Sequence, residues 1–246
     1  MTEWLDPVRA SLDDRTTPIA FFLRDDDGGW DDEALFALIE TVERRRVPID
    51  LALIPDACDA SLAQALRDKD AKAVHLHQHG RAHVNHEAVG RKCEFGPSRS
   101  ADQQRDDIAA GRRQLRDLVG DRLEPIFTPP WNRCTPATVQ CLAALDFELL
   151  SRDATAETSA DELDELPVTL DWTGRRGAPA GAFSWGTAIA VSLRTAQQPI
   201  GLMLHHAVMS DVDREMVGAL LDVLTCHDAV RFASMLDIAR ARRGAQ

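Results

Sequence analysis

The 246-residue chain is short of positive charge: 28 Lys plus Arg stand against 40 Asp plus Glu, a net charge of −12. That balance argues against general nucleic-acid binding, which needs a basic footprint to displace counterions. It also argues against electrostatic docking on an anionic membrane. No window approaches ~18 continuous apolar residues, so no membrane span is expected. Met1 to Asp14 lacks the basic n-region and apolar h-region of a signal peptide. The cysteines Cys58, Cys93, Cys134, Cys141 and Cys226 make no C-x-x-C pair. Their odd number fits free thiols in a reducing compartment, and the cytoplasm is the expected location. Gly-x-Ser-x-Gly and phosphate-loop patterns are missing, which removes the simplest serine-hydrolase and nucleotide-triphosphatase readings. Repeats and low-complexity segments are also absent.

What is there is a chain with 44% hydrophobic residues, enough for a sizeable core. Its length suits one domain over residues 1–246, because α/β barrels reach ~250 residues as one unit. Apolar runs alternate with amphipathic stretches. Strands are expected at Ile19–Leu23, Ile49–Ile54, Ala73–Gln78, Pro125–Thr128, Phe147–Leu150, Val168–Trp172, Ile200–His205 and Val230–Ala233. Helices are expected at Asp31–Arg46, Ser61–Arg67, Ala101–Leu118, Pro136–Leu145 and Asp211–Thr225, with a basic terminal helix after them. Asp153–Glu165 and the stretch that follows Trp172 through Gly186 read as loops. Such alternation implies a mostly parallel sheet closing into a barrel, with chemistry at the carboxyl ends of its strands.

Four polar clusters follow expected strands. Arg24-Asp25-Asp26-Asp27-Gly28-Gly29 sets three repelling carboxylates in a row, which makes sense around a cation. An isolated acidic run is otherwise a solvated loop capping the next helix. Next, five of the eight histidines lie within the twelve residues from His75 to His86. Strand alternation puts His75 and His77 on one face. His79 and His83 are i and i+4, one side of a helical turn, a good arrangement for zinc or a similar metal. In Phe127-Thr128-Pro129-Pro130-Trp131-Asn132-Arg133 the paired prolines leave the Trp131 amide a rigid donor suited to an oxyanion; a plain turn with a packing tryptophan is the alternative. Ile200–His206 is a buried strand ending in histidine, and Asp171 is placed to hold that imidazole in one tautomer. Each of these last two also reads as an ordinary strand end. Arg99, in Glu94-Phe95-Gly96-Pro97-Ser98-Arg99, is a candidate for a substrate anion, though a surface arginine is the commoner outcome.

The order of these clusters resembles the polysaccharide deacetylase family, the carbohydrate esterases of chitin-oligosaccharide deacetylase type, over roughly residues 19–206. The T-F-D-D-G motif matches Arg24 to Gly28, with Asp26 and Asp27 as the pair. H-(S/T)-x-x-H matches His79 to His83, R-P-P-Y-G matches Thr128 to Asn132, and L-x-H matches Met203-Leu204-His205. The departures are Arg24 for Thr, Gly80 for Ser or Thr, Thr128 for the arginine that orients the family's base, and His206 for Asp. The chain is most similar to a divergent intracellular branch with R-x-D-D, H-G-x-x-H, E-F-G-x-x-R and P-P-W-N-R signatures.

The resemblance implies a distorted (β/α)7 barrel and a metal-dependent N-deacetylase acting on an N-acetylated sugar. It implies a divalent metal on Asp27, His79 and His83, zinc first, with cobalt, nickel or manganese as alternatives. Asp26 is then the general base, His205 the acid that protonates the leaving amine, and the Trp131 amide the oxyanion donor. Arg24, Arg99, Arg133 and His206 are candidates for substrate contacts. The expected partner is a small-molecule or oligosaccharide substrate, with no nucleic acid; the oligomeric state is not specified. Two other readings stand beside this one. One is an amidohydrolase-type site on His75 and His77. The other is a non-catalytic carbohydrate- or metal-binding relative, raised by the missing motif-three arginine.

Overall fold

A computed structural model describes residues 3–156, 163–173, 182–196 and 199–244. Helix α1 (Asp6–Asp13) leads into strand β1 (Ile19–Gly28), α2 (Asp32–Glu43), β2 (Ile49–Leu53), α3 (Ala60–Arg67) and β3 (Val74–His79). Then come α4 (Ala101–Val119), β4 (Leu123–Thr128), α5 (Pro136–Ala144), β5 (Leu149–Leu150), β6 (Asp164–Glu165) and β7 (Leu170–Asp171). The chain continues with α6 (Ala182–Thr195), β8 (Ile200–Leu204), α7 (Asp211–Thr225), β9 (Val230–Phe232) and α8 (Met235–Arg243). Helix starts carry their own signals. Ser100, Thr135 and Ser210 cap α4, α5 and α7 in capping boxes, and the Asp31 side chain accepts from the Ala34 amide at the start of α2.

All paired strands are parallel, in the order β6-β5-β4-β3-β2-β1-β8-β7, with β9 beside the start of β1. The segment 163–173 pairs with β5 at its beginning and β8 at its end, with Val168 bridged to Asp153 between them. One stretch of chain therefore joins the two flanks of the sheet, and the sheet curls into a distorted (β/α)7-type barrel. Alternation along β1 separates two faces. Phe21 and Leu23 pack outward among helix residues such as Leu35, Leu38 and Leu220. Phe22 packs inward with Ile126, Leu149, Val168 and Met203, and Met235, Leu236 and Ile238 of α8 close that inner cluster.

Several expectations needed correction. Strand β1 does not end at Leu23 but runs through the acidic cluster to Gly28, with Arg24 to Asp27 all buried. Helix α1 was hidden by its acidic composition, although Leu5, Val8 and Leu12 make a buried stripe at helical spacing. Helix α6 was hidden by the Gly- and Pro-containing loop expected through Gly186. Gly186, Ile189 and Leu193 lie on its buried side, and a Cβ at Gly186 would stand 1.7 Å from the Trp4 carbonyl oxygen. Glycine there lets α6 touch the chain before α1. The 174–181 part of that loop and 157–162 of the acidic loop lie outside the described residues; Asp164–Glu165 of the latter is strand, not loop.

Candidate metal centre

Adjacent residues in a regular strand face opposite ways, so Asp26 and Asp27 should not share a cleft. A register shift between Asp25 and Gly28 breaks the rule, and Asp27 sits at φ 69°. This bulge turns Asp27 to the side that Arg24 and Asp26 already occupy. Among the described residues seven non-glycine residues have positive φ, and Asp27, His83, Trp131 and Asn132 of these line one cleft. Strained backbone gathered in this way marks a site where geometry is held against local preference.

The histidines arrive differently from expectation. His79 is the last residue of β3 and His83 lies in the loop after it, so no helical turn pairs them. The loop doubles back through Gly80 and His83, both at φ 56°. It still brings both Nε2 atoms to 3.2 Å from Asp27 Oδ1. His79 Nδ1 lies 3.0 Å from the Thr128 carbonyl oxygen, which can only accept, so Nδ1 carries the proton. In the neutral ring Nε2 offers a lone pair towards Asp27. Burial pushes the His79 imidazole down, but Asp27 and Asp26 outweigh it and raise its pKa, so a cation at Nε2 takes the place of a proton. Asp27 Oδ1 is buried and no hydrogen bond satisfies it. Two nitrogens and one carboxylate oxygen at this spacing, on open sides of their groups, fit a divalent cation and suit zinc or cobalt. His83 is flanked by Trp30, edge-on, and by Trp131, tilted, with ring centroids 4.8 and 4.4 Å away. Burial, then the charge of His79, pushes the His83 imidazole down to about 4, so it is neutral at pH 7.

Asp26 is 2% exposed and held in a fork. Arg24 Nε donates to Oδ1 at 2.8 Å and its terminal nitrogen to Oδ2 at 2.9 Å. Burial pushes the Asp26 carboxyl up, but Arg24, His79 and His205 outweigh it and hold the pKa at about 2. Arg24 is fully buried and also bonds Ser151 Oγ and Asn132 Oδ1. This corrects its expected role: Arg24 has no surface left for a substrate and instead orients Asp26. It brings from β1 the guanidinium that is missing at Thr128.

His205 Nε2 faces Asp26 Oδ2 at 4.0 Å. Its Nδ1 lies 2.7 Å from Thr173 Oγ1, and Thr173 donates to Asp171 through its amide and hydroxyl. Thr173 was not singled out in the sequence, where only Asp171 two residues earlier stood out. His206 corrects another expectation. It is fully buried, its Nδ1 is 2.6 Å from Asp25 Oδ2, and its Nε2 meets the Trp30 carbonyl. It ties β8 to β1 and is turned away from the cleft. Arg99 bonds Asp107 and His86 and lines neither the cleft nor its extension.

The cleft holds about 450 Å3 among Asp26, Asp27, Trp30, His79, His83, Lys92, Trp131, Asn132 and His205. An adjoining groove runs past Trp131 and His205 to Arg133, Asp153 and Asp171. The amidohydrolase-type arrangement is not formed. His75 turns to Glu124 and His77, fully buried, to Thr128 Oγ1, and no common metal position joins them.

The sequence matches no family model and no curated protein sequence. Solved structures do match. A polysaccharide deacetylase candidate from Mycobacterium smegmatis has a TM-score of 0.69 at 18% identity, covering 94% of this chain and 92% of the other. A family 4 acetyl xylan esterase from Clostridium thermocellum, in complex with a cobalt ion, has a TM-score of 0.63 at 14% identity, covering 91% and 92%. A family 4 pseudoenzyme from Bacillus anthracis has a TM-score of 0.59 at 12% identity, covering 91% and 66%. The chain thus has the fold of the family 4 carbohydrate esterases and deacetylases.

Proposed function

We propose that this protein is a metal-dependent hydrolase that removes the acetyl group from an N-acetylated sugar. The observation that carries the reading is the open triangle of Asp27 Oδ1 and two imidazole Nε2 atoms beside a guanidinium-held carboxylate. Asp27, His79 and His83 would hold the divalent cation, zinc or cobalt first. When bound, such a cation polarises an acyl oxygen and makes water more acidic. Asp26 accepts the proton of the attacking water, and Arg24 fixes the direction in which its oxygens point. His205 hands a proton to the departing nitrogen from Nε2, while Thr173 engages Nδ1. The Trp131 amide, in the turn after two prolines, faces the developing oxyanion. Trp30 and Trp131 wall the sugar, and Arg133 in the adjoining groove contacts its continuation. Free cysteines suit a cytoplasmic site of action.

The alternative of a non-catalytic relative was motivated by the missing motif-three arginine. The fork from Arg24 to Asp26 weakens that motive and supports turnover. Acetate release from N-acetylated and O-acetylated sugars, with added Zn2+ or Co2+ and an EDTA control, tests the reading. Metal-dependent acetate from an N-acetylated sugar is expected. Cation binding without acetate from any substrate in the panel would favour the binding relative, and acetate from O-acetyl sugars alone would make it an esterase.

A further inference from the structure

We infer that Glu94 is the positioning residue of the metal centre: its buried carboxylate shapes the loop that presents His83. This rests on Asp27, His79 and His83 being the cation site. After His79 the chain leaves regular structure, so its amides need partners other than a strand or helix. Glu94 supplies them. The Ala82 amide donates to Oε1 at 2.8 Å and the Arg81 amide to Oε2 at 3.2 Å. Two successive amides immediately before His83 thus converge on one anion, a concave nest of N–H groups closed by a side chain of the same loop. Glu94 is 1% exposed, so water does not compete for those bonds.

The same carboxylate accounts for an anomaly in the sequence. Position 80 follows the first histidine, and the H-(S/T)-x-x-H pattern puts a side chain there. A Cβ at Gly80 would stand 2.2 Å from Glu94 Oε2 and 2.5 Å from Pro130 Cδ. Glu94 fills the space a Ser or Thr would need, so Gly80 and Glu94 form a matched pair. The absence of a side chain at 80 also admits φ 56°, which starts the return of the loop. With the loop folded on Glu94, His83 is held 3.2 Å from Asp27. Binding then does not have to order the loop.

The test compares EDTA-stripped wild type and Glu94→Gln titrated with Co2+, read by calorimetry and by the cobalt absorption bands. The amide of glutamine turns a donor towards donors, so one loop N–H loses its acceptor. Glu94→Gln is expected to bind Co2+ ~10–100-fold more weakly, at unchanged stoichiometry, the usual scale for residues that orient ligands. Affinity equal to wild type overturns the inference, even if melting temperature falls, because the role would then be structural only. Hydrogen exchange of the Arg81 and Ala82 amides in stripped wild type gives a second measurement that needs no variant. Slow exchange before any metal is added is expected. Exchange at the rate of unstructured chain, slowed only by Co2+, overturns the inference. Failure of the underlying site looks different: wild type that takes up no Co2+, or His83→Ala that binds as wild type does, with the two amides still protected.

Discussion

Two clusters of carboxylate and histidine lie at different depths of one barrel, and they differ in how their donors meet. The upper one is Asp27, His79 and His83; the lower one is Asp50, His75 and Glu124 on β2, β3 and β4. In the upper cluster the nitrogens stand 3.2 Å from an oxygen that no hydrogen bond satisfies. In the lower cluster His75 Nδ1 has closed on Glu124 Oε1 at 2.7 Å. Asp50 accepts the Met235 amide on both oxygens, at the start of α8, where the helix dipole is positive. Burial pushes the His75 imidazole down, but Glu124 and Asp50 outweigh it and raise its pKa. Carboxylates favour the protonated imidazole in both clusters, at His79 as at His75, so the difference lies in spacing: the lower donors have closed on one another, whereas the upper ones converge with room for a foreign cation. Residue type proposes a metal site; spacing and tautomer decide it.

The sharpest way to break this contrast is to count bound ions. His79→Ala should abolish Co2+ or Zn2+ binding, while Glu124→Gln should leave one ion per chain by elemental analysis. A second ion that disappears with Glu124→Gln would make the lower cluster a metal site too, and its unpaired buried Oε2 would be the reason.

Next in size is the fork beneath the upper cluster. Arg24→Ala strands a buried carboxylate, and ~3–5 kcal/mol of stability should be lost in denaturant unfolding. Asp26→Asn should keep the ion and the fold but lose at least ~10²-fold in turnover, the scale of a removed general base. Loss of the ion in Asp26→Asn would instead mean that Asp26, not Asp27, is the ligand.

His83 and His75, one from each cluster, should respond to pH with opposite sign in the metal-free protein. His83 is held at about 4, below its ordinary 6.5, so the unfolded chain takes up its proton first. Stability should fall as pH drops from about 6.5 to about 4, by at most on the order of 3 kcal/mol. His75 is raised, so its contribution is complete below about 6.5 and is lost as pH climbs through the raised value. Unfolding of His83→Gln and His75→Gln across pH 4 to 9 checks this: each variant should flatten one limb only.

The smallest effect belongs to Thr173. Thr173→Val removes the hydroxyl at His205 Nδ1 and should lower kcat less than His205→Ala, mainly on the alkaline side, where the acid must keep its proton. An equal loss in both variants would give Thr173 a direct part in the reaction.

Much of this architecture was legible in the sequence, and what was hidden was hidden for physical reasons. Strands such as β2 and β8 are short apolar runs with clear ends, and caps at Ser100, Thr135 and Ser210 announce their helices. Strand β1 was cut short because charge masked its last residues, yet they are buried by partners distant in sequence: Arg24 by Asn132 and Ser151, Asp25 by His206. The convergence of Asp27, His79 and His83 follows the motif spacing, but the helical turn expected to produce it is instead a strand end and a loop. That loop depends on Glu94, fourteen residues after Gly80, and on a collision that only coordinates reveal. Arg24 and His206 were read as substrate contacts because polar residues beside a site look alike in sequence, whether they face the cleft or stand behind it.

The tryptophan pair around His83 has an optical consequence. The chain has five tryptophans and no tyrosine, so no phenol competes with the indoles that dominate its ultraviolet emission. Trp30 and Trp131 flank His83, while Trp172 stacks on Trp185 at 4.8 Å and meets Trp4 edge-on at 6.4 Å, a separate group beside α1 and α6. Events at the metal centre therefore reach one set of emitters and spare the other. Protonation of His83, or a paramagnetic ion such as Co2+ beside it, should dim only part of the signal, and the remainder reports separately on the packing of α6. The protein thus carries a gauge of its own site and an internal reference for its fold, readable without a label.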